Sequence, residues 1–200
     1  MNISTRTDSV DSKSTFAIYN FSNFIYDYTH YNYGDKHDKF IIMCIGTDRS
    51  TGDALGPLVG YKLKPIISEY KDVELLGTLD DPIHAKNLSE NIKYINTNFH
   101  NPFILAIDAS LGSYNKIGHI NIKESPLKPG LGVNKNLPKV GDISITGVVN
   151  ISGIMEYAVL QNTRLSLVMN MADIISKSLN IALWMLHKDK KEKKNINNLY

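Results

Sequence analysis

Short, continuous apolar runs alternate along the chain with segments whose apolar residues recur at helical spacing. The run FIIMCI (40–45) has the length and composition of a strand that is buried on both faces. Similar candidates follow in VELLGTL (73–79), FILAIDA (103–109), GHINI (118–122) and ISITGVV (143–149). Strands that alternate with helices join through right-handed crossovers. The pattern therefore predicts an α/β fold, a three-layer α/β/α sandwich with a mostly parallel central sheet.

Three segments between or after these runs are predicted helices. ALGPLVGYKLKPIISEY is expected to end or kink just before Pro65, because proline cannot continue the helical hydrogen bonding. In IHAKNLSENIKYI, Asp81 and Pro82 have the pattern of an N-cap and a first helical residue. The last helix is predicted to run from about residue 164 to residue 187.

The remaining segments set the domain boundaries. Residues 1–38 form an N-terminal extension that begins with a polar stretch, predicted to be disordered up to about residue 15. It continues into FAIYNFSNFIYDYTHYNYG, which fits a surface helix or, as an alternative, an arm that binds a partner. Residues 39–187 form the predicted single α/β domain. The lysine-rich residues 188–200 are predicted to be a basic flexible tail.

Composition narrows the class of function. The net charge of +2 is too small by itself to indicate binding to nucleic acid or to a membrane. No apolar run reaches the roughly 18 residues that suggest a membrane-spanning helix. Cys44 is the single cysteine, so no disulfide can form within the chain, which favours a reducing compartment. We therefore expect a cytoplasmic protein with no nucleic-acid or membrane partner.

Two acidic residues follow predicted strands. Asp53 lies in GTDRSTGDALGP (46–57), directly after the first strand, and Asp108 lies at the end of FILAI. Ligands of open parallel sheets bind beyond the carboxyl ends of the strands, so the two side chains converge if these strands are neighbours. Taken alone, Asp53 is typical of a helix N-cap and Asp108 of a turn residue that bonds its own backbone. Two such acids in one crevice indicate a site of chemical reaction.

A close pair of carboxylates can act as an acid and a base. At about 4 Å and an effective dielectric constant of about 20, their repulsion is roughly 4 kcal/mol. One acid then stays protonated near neutral pH while the other accepts a proton, and such a pair can drive the attack of water on an amide. The same oxygens could instead bind a metal ion with His84 or His119, although each histidine is more typical of an ordinary surface or turn residue.

Several neighbouring residues are candidate supports for such a site. The glycine spacing of the loop matches neither a dinucleotide fingerprint nor a P-loop, so the sequence predicts no cofactor. Gly52 would let the backbone pass close to a polypeptide, and Asp48 and Arg49 add an acid and a base. In the segment 129–147, Lys135 could steady an oxyanion or an ionised aspartate, although an exposed loop lysine is the more ordinary interpretation.

Several long motifs lie in order between Phe40 and Ala172: IGTDRSTGDALGPLVG, GTLDDPIHAKNL, AIDASLG and PGLGVNKNLPKVGDISITGVVNISGIMEYAVLQNTRL. Together they closely resemble the sporulation protein family called YyaC. Members of that family are described as spore proteases. A more distant similarity is to the germination protease that degrades small acid-soluble spore proteins. The wider fold group includes the hydrogenase maturation proteases, in which acids at comparable loop positions help bind nickel.

The resemblance implies a function and two catalytic residues. The germination protease motifs G-N-x-x-x-T-P-D-A-L-G-P and A-I-D-A-L place its catalytic aspartates on Asp53 and Asp108. The implied activity is an aspartic-type endopeptidase of sporulation or germination, with spore polypeptides, small acid-soluble proteins among them, as substrates. Asp48 and Arg49 depart from the relative's Asn-Trp stretch, and Gly52 stands where it has proline. Two alternatives stay open: a non-enzymatic sporulation binding or assembly factor, and a metal-binding protein related to the maturation proteases.

Overall fold

The computed structural model describes residues 6–129, 137–153 and 155–197. Its strands are β1 (Thr7–Asp11), β2 (Lys39–Cys44), β3 (Val73–Leu76), β4 (Pro102–Gly112), β5 (His119–Lys123) and β6 (Ile143–Ile151). Its helices are α1 (Ala17–Asn32), α2 (Leu55–Ile67), α3 (Leu88–Asn98), α4 (Glu156–Gln161) and α5 (Leu165–Asn197). Single turns of 3-10 helix lie at Gly52–Ala54 and Tyr114–Lys116.

The strands form one sheet in the order β1-β5-β6-β4-β2-β3. The pairings of β3 with β2, β2 with β4 and β4 with β6 are parallel, whereas β5 runs antiparallel to both β6 and β1. Helices α1, α2 and α5 contribute to the core on one face, and α3 contributes to the core on the other. The predicted three-layer α/β/α sandwich with a mostly parallel sheet is confirmed.

Strand β2 shows why its apolar run is continuous. Phe40, Ile42 and Cys44 point into the core shared with α1, α2 and α5, and Ile41 and Met43 point into the core shared with α3. None of the five is more than 1% exposed. A strand with paired neighbours and helices on both faces has no position left for a polar side chain. Burial also raises the pKa of the Cys44 thiol.

The chain changes direction across the sheet between β2 and β4. From β2 it passes through α2 to β3 at one edge, and then returns through α3 to β4 on the other side of β2. Right-handed crossovers in opposite directions place α2 and α3 on opposite faces. Such a switch point leaves a crevice beyond the carboxyl ends of β2 and β4, where ligands bind in open α/β sheets.

The N-terminal segment is more ordered than its sequence indicated. Thr7–Asp11 form the edge strand β1, so the predicted disorder up to residue 15 is wrong there. The aromatic segment forms the helix α1, whose side chains Phe21, Ile25 and Tyr28 are at most 1% exposed. The Tyr28 hydroxyl donates a hydrogen bond of 3.1 Å to Asp8, which joins α1 to β1. Tertiary pairing therefore orders a stretch whose local composition is polar.

Two helix boundaries differ from the prediction. Helix α2 contains Pro65 and continues to Ile67, which is buried in the core, so packing outweighs the single lost hydrogen bond. Helix α3 begins at Leu88 rather than near Asp81. The chain before α3 is instead held by a β-bridge that Ile83 forms with Ile45, directly after β2.

Helix α5 is longer than predicted and ends at Asn197, so the structure is helical where residues 188–197 were expected to be a flexible tail. Nε2 of His187 and Nζ of Lys190 lie 2.7 and 2.6 Å from the carboxylate oxygens of Asp72, which precedes β3. These contacts hold the last turns of α5 against the sheet. No helix in the described ranges combines the length and the apolar character needed to cross a bilayer.

Candidate active site

A cavity of about 1000 Å³ opens beside the carboxyl ends of β2 and β4. Where α3 packs, this face of the sheet is apolar, through Ile41, Met43 and Ala106. Further along the same face, in register with Ala106 and Asp108, the strands β5 and β6 carry polar side chains that line the cavity: Asn121, Lys123, Ser144 and Thr146. The part of this sheet face that borders the cavity is therefore polar, whereas the part under α3 is apolar.

The loop after β2 is held by contacts between backbone groups. The Gly46 N–H donates to the carbonyl oxygen of Ile83 at 2.7 Å, and the Thr47 N–H donates to the carbonyl oxygen of Asp53 at 3.1 Å. Gly46 has φ of +143°, and a Cβ atom at this position would collide with the Asp53 carbonyl oxygen. Glycine is required because the start of the loop packs directly against the peptide that carries Asp53.

Asp53 points into the cavity and does not cap a helix. It lies in the 3-10 turn, and Ala54 is the residue that precedes α2, so the N-cap interpretation is wrong. Its side chain lines the cavity and the residue is partly buried. Burial raises the pKa of the Asp53 carboxyl, and the charge of His84 acts in the opposite direction.

Asp108 lies inside β4, which continues to Gly112, rather than at the end of the strand as predicted. The residue is only 7% exposed, and its Oδ1 accepts a hydrogen bond of 2.8 Å from the Ala109 N–H. Burial raises the pKa of the Asp108 carboxyl well above its usual value, the negative charge of Asp53 raises it further, and the Ala109 hydrogen bond opposes both effects. The structure thus brings the two predicted acids to one cavity, close enough to interact electrostatically.

The predicted supporting residues have different positions. Arg49 lines the cavity and is exposed, whereas Asp48, on the same loop, is exposed outside the cavity lining. Gly52 is buried behind the cavity, where a Cβ atom would lie 2.8 Å from a Leu160 methyl group, so it serves the packing of the 3-10 turn against α4. Lys135 lies outside the described residues.

Two further polar residues lie at the cavity; the sequence suggested His84 only as an alternative metal ligand and suggested no role for Ser50. His84 and Ser50 line the cavity, and the His84 Nδ1 and Ser50 Oγ atoms are buried without a hydrogen-bond partner among the described residues. His119 lies on β5 and does not line the cavity. The polar strand face could have been found from the alternation of polar and apolar residues in HINIK (119–123) and ISIT (143–146).

The donor atoms of the described residues at the cavity do not fit a metal ion. Within the described ranges, no three His, Cys, Asp or Glu side chains lie close enough together to form a metal site. Protein zinc and nickel sites draw on at least three side-chain ligands, often including imidazole or thiolate. Among the residues that the structure describes, the nickel implied by the resemblance to the maturation proteases therefore has no matching ligand set.

Comparison with known proteins agrees with the motifs. A family model described as "Protein of unknown function (DUF1256)" matches residues 9–178. The chain belongs to this family. The uncharacterized protein YyaC of Bacillus subtilis (strain 168) is 53% identical over 141 residues, which cover 70% of this chain and 68% of the relative. The predicted membership of the YyaC family is confirmed, and neither description assigns the family an activity.

The architecture of this family member is similar to a solved structure. The [NiFe] hydrogenase maturation protease HycI from Thermococcus kodakarensis KOD1 aligns with a TM-score of 0.50 and 17% sequence identity. The alignment covers 80% of this chain and 98% of that chain. At such low identity the similarity concerns the fold alone, and it confirms the predicted hydrogenase maturation protease-like fold.

Proposed function

We propose that this DUF1256 family member is a peptidase with an aspartic-type mechanism that uses Asp53 and Asp108. The observation that carries the proposal is that both carboxyl groups line one cavity at the switch point of the sheet, with the pKa of each raised. Carboxyl groups with raised pKa values in a cleft are typical of acid–base catalysis. The likeness of the fold to a maturation protease agrees with a peptidase and does not by itself assign one.

The surroundings of the two acids suggest different roles. Asp108 is the more buried of the two, and it lies in the field of the negative charge on Asp53, so it is the better candidate for the protonated acid. Asp53 is less buried, and His84 favours its ionised form, so it is the better candidate for the base. His84 would then be a positioning residue that acts through Asp53.

A complete hydrolytic step follows from these roles. A water molecule between the carboxyl groups gives a proton to Asp53 while its oxygen attacks the carbonyl carbon of the peptide bond. The tetrahedral intermediate collapses, the C–N bond breaks, and the proton of Asp108 moves to the leaving nitrogen. Asp108 then takes a proton back from Asp53 through a second water, which restores the starting state.

The substrate is proposed to be a polypeptide. A cavity of about 1000 Å³ lies at the upper end of the range for small-molecule pockets and can hold several residues of an extended chain. The buried Ser50 Oγ and His84 Nδ1 atoms have no hydrogen-bond partner among the described residues, and peptide N–H and C=O groups can satisfy them. On the resemblance of the motifs we extend the proposal to spore polypeptides cleaved during sporulation or germination, with small acid-soluble spore proteins as the first candidates.

Purified protein incubated with small acid-soluble spore proteins between acidic and neutral pH tests the proposal. We expect wild type to cleave them, and Asp53→Asn and Asp108→Asn each to lower kcat/KM by at least about 100-fold, because each removes one proton-transfer group. Asp48→Asn is the matched control, since it changes the same charge on the same loop outside the cavity. It should alter kcat/KM less than about threefold.

Cleavage that survives both cavity variants would contradict the peptidase proposal. If, in addition, the doubly substituted Asp53→Asn/Asp108→Asn protein supported normal sporulation, the chain would be a binding or assembly factor. Cleavage abolished by a chelator and restored by a divalent metal ion would instead favour the metal-dependent alternative over the mechanism proposed.

A further inference from the structure

Five basic side chains border the cavity and are exposed to solvent: Arg49, Lys86, Lys123, Lys128 and Lys139. We call this group the cationic rim. Arg49 and Lys86 belong to the loops after β2 and β3, and the three other lysines belong to β5 and the segment that follows it. The rim therefore borders the Asp53–Asp108 pair from two different parts of the fold.

Within the described ranges, none of the rim side chains is engaged in an ion pair. Elsewhere on the surface, several lysines are paired with acids, such as Lys62 with Asp173 at 2.7 Å and Lys64 with Asp80 at 2.8 Å. A concentration of unpaired positive charge around a concave site raises the local concentration of acidic ligands and speeds their association. This distribution is not expected from a net charge of only +2.

The cavity interior favours a polypeptide over a nucleic acid. Apolar side chains contribute to its walls, including Leu127, Val148 and Leu160, and they can accept apolar side chains of a peptide. Asp53, the proposed ionised acid, also lines it, and a negative charge in the interior repels phosphate groups. A ligand with acidic groups at the border and apolar groups inside matches both features.

We propose that the cationic rim binds an acidic, extended polypeptide segment and lays it across the Asp53–Asp108 pair. The rim lysines contact Glu and Asp side chains of the substrate, and the apolar walls take the residues between them. This inference deepens the proposed function by naming the substrate class. It rests on that function for cleavage, but the binding can be measured without cleavage.

Fluorescence anisotropy with labelled peptides tests the rim in the full-length Asp53→Asn protein, which removes the proposed base in every arm. The probes are a peptide in which Glu alternates with Leu, the same peptide with Gln in place of Glu, and the same peptide with Lys. We expect the Glu peptide to bind at least about tenfold more tightly than the Gln peptide, and its affinity to fall as salt rises. The Lys peptide should bind most weakly.

Charge reversal locates the binding. Lys123→Glu/Lys128→Glu should weaken binding of the Glu peptide at least about tenfold, because two attractions become repulsions. Lys86→Glu/Lys139→Glu is a second rim pair, to be used if the first variant fails to fold by circular dichroism. Lys13→Glu/Lys177→Glu is the matched control at exposed positions outside the rim, and it should change affinity less than about twofold.

Equal binding of the Glu and Gln peptides would overturn the inference, as would an equal loss of affinity in the control pair. Tighter binding of a single-stranded oligonucleotide than of the Glu peptide would instead make the rim a nucleic-acid surface. Different results would contradict the two proposals. The peptidase proposal fails if Asp53→Asn and Asp108→Asn leave cleavage unchanged. The rim proposal fails through the absence of a charge preference in binding.

Discussion

At the scale of single residues, Asp108 is the position where the fold and the proposed chemistry conflict. It lies within β4, between β2 and β6, where a strand residue is usually apolar. Its raised pKa means that the folded protein holds this proton more tightly than the unfolded chain does. The free energy of unfolding therefore falls as pH rises above about 4, the pKa of an unperturbed Asp, and continues to fall until the folded-state pKa is passed.

We predict that Asp108→Asn unfolds at a higher temperature than wild type at neutral pH, because the unfolded wild-type chain is stabilised by ionising this carboxyl while the folded protein holds its proton, and the amide has no such difference. The difference should shrink as pH falls and disappear below about pH 4, where both proteins are neutral at this position. Each 1 kcal/mol of stabilisation corresponds to roughly 2–4 °C in a chain of this size. Thermal melts by circular dichroism across this pH range measure the effect. Asp35→Asn, at an exposed position, is the control and should have the melting temperature of wild type. A melting temperature of Asp108→Asn below that of wild type at neutral pH would contradict the prediction.

Asp53 and Asp108 could be singled out from the sequence because each follows an apolar run that predicts a parallel strand. His84 could not be assigned in the same way. Its place at the cavity depends on the β-bridge between Ile83 and Ile45, a pairing between segments far apart in the chain. The same limit applies to the rim lysines, which are unremarkable until β5 and the loops after β2 and β3 are placed around one cavity.

At the scale of elements, Asp72 contacts two basic side chains in the C-terminal part of α5. Asp72 accepts hydrogen bonds from His187 and Lys190, and its second oxygen lies 3.4 Å from the donating Tyr33 hydroxyl. The His187 contact, followed by the Lys190 contact, holds the pKa of the Asp72 carboxyl well below its usual range. A lowered carboxyl pKa gives a stabilisation that is fully present above about pH 4 and is lost as pH falls further toward the folded-state pKa.

We predict that Asp72→Ala lowers the free energy of unfolding by about 1 kcal/mol at neutral pH, a figure already reduced because the side chains are partly exposed and screened. Amide hydrogen exchange should speed up in the last turns of α5, and the difference from wild type should narrow at acidic pH. Glu192→Gln, which removes the exposed pair with Lys188, is the control and should change stability by less than about 0.5 kcal/mol. Unchanged exchange in α5 of Asp72→Ala would show that the helix end is held in another way.

Strand and helix types were predictable from periodicity, whereas several ends were not. Near its end, α5 contacts Asp72 through His187 and Lys190, and before Leu88 the chain forms the bridge between Ile83 and Ile45. These contacts join segments distant in sequence. Strand β1 was missed because five residues paired at a sheet edge need little apolar character of their own.

At the scale of the whole molecule, the N-terminal segment belongs to the packed structure. Strand β1 completes one edge of the sheet, and α1 packs along α5 with its inner side chains in the main core. The outer side of α1 carries large exposed aromatics, with Phe16 and Tyr19 each 67% exposed. The mixture of inner and outer aromatics explains why the sequence alone could not separate a packed helix from an arm that binds a partner.

We predict that Phe21→Ala lowers the free energy of unfolding by about 3–5 kcal/mol, because the side chain is fully buried and its removal leaves a cavity. Tyr19→Ala, two positions earlier on the exposed side of the same helix, should change it by less than about 0.5 kcal/mol. Urea unfolding curves measure both values. Similar, small effects at the two positions would mean that α1 is dispensable to the core.

Because Cys44 is buried, its chemical labelling can report local opening of the sheet around β2. The only thiol of the chain lies in the middle of the sheet, fully enclosed and with its thiolate form disfavoured. A thiol-specific reagent can reach it only when β2 separates from its neighbours, so the labelling rate at native conditions reports the free energy of that separation. Because β2 leads directly into the loop that carries Asp53, the same event dismantles the carboxyl pair. The modification rate of unaltered protein therefore sets a lower limit on how often the arrangement of Asp53 and Asp108 is lost.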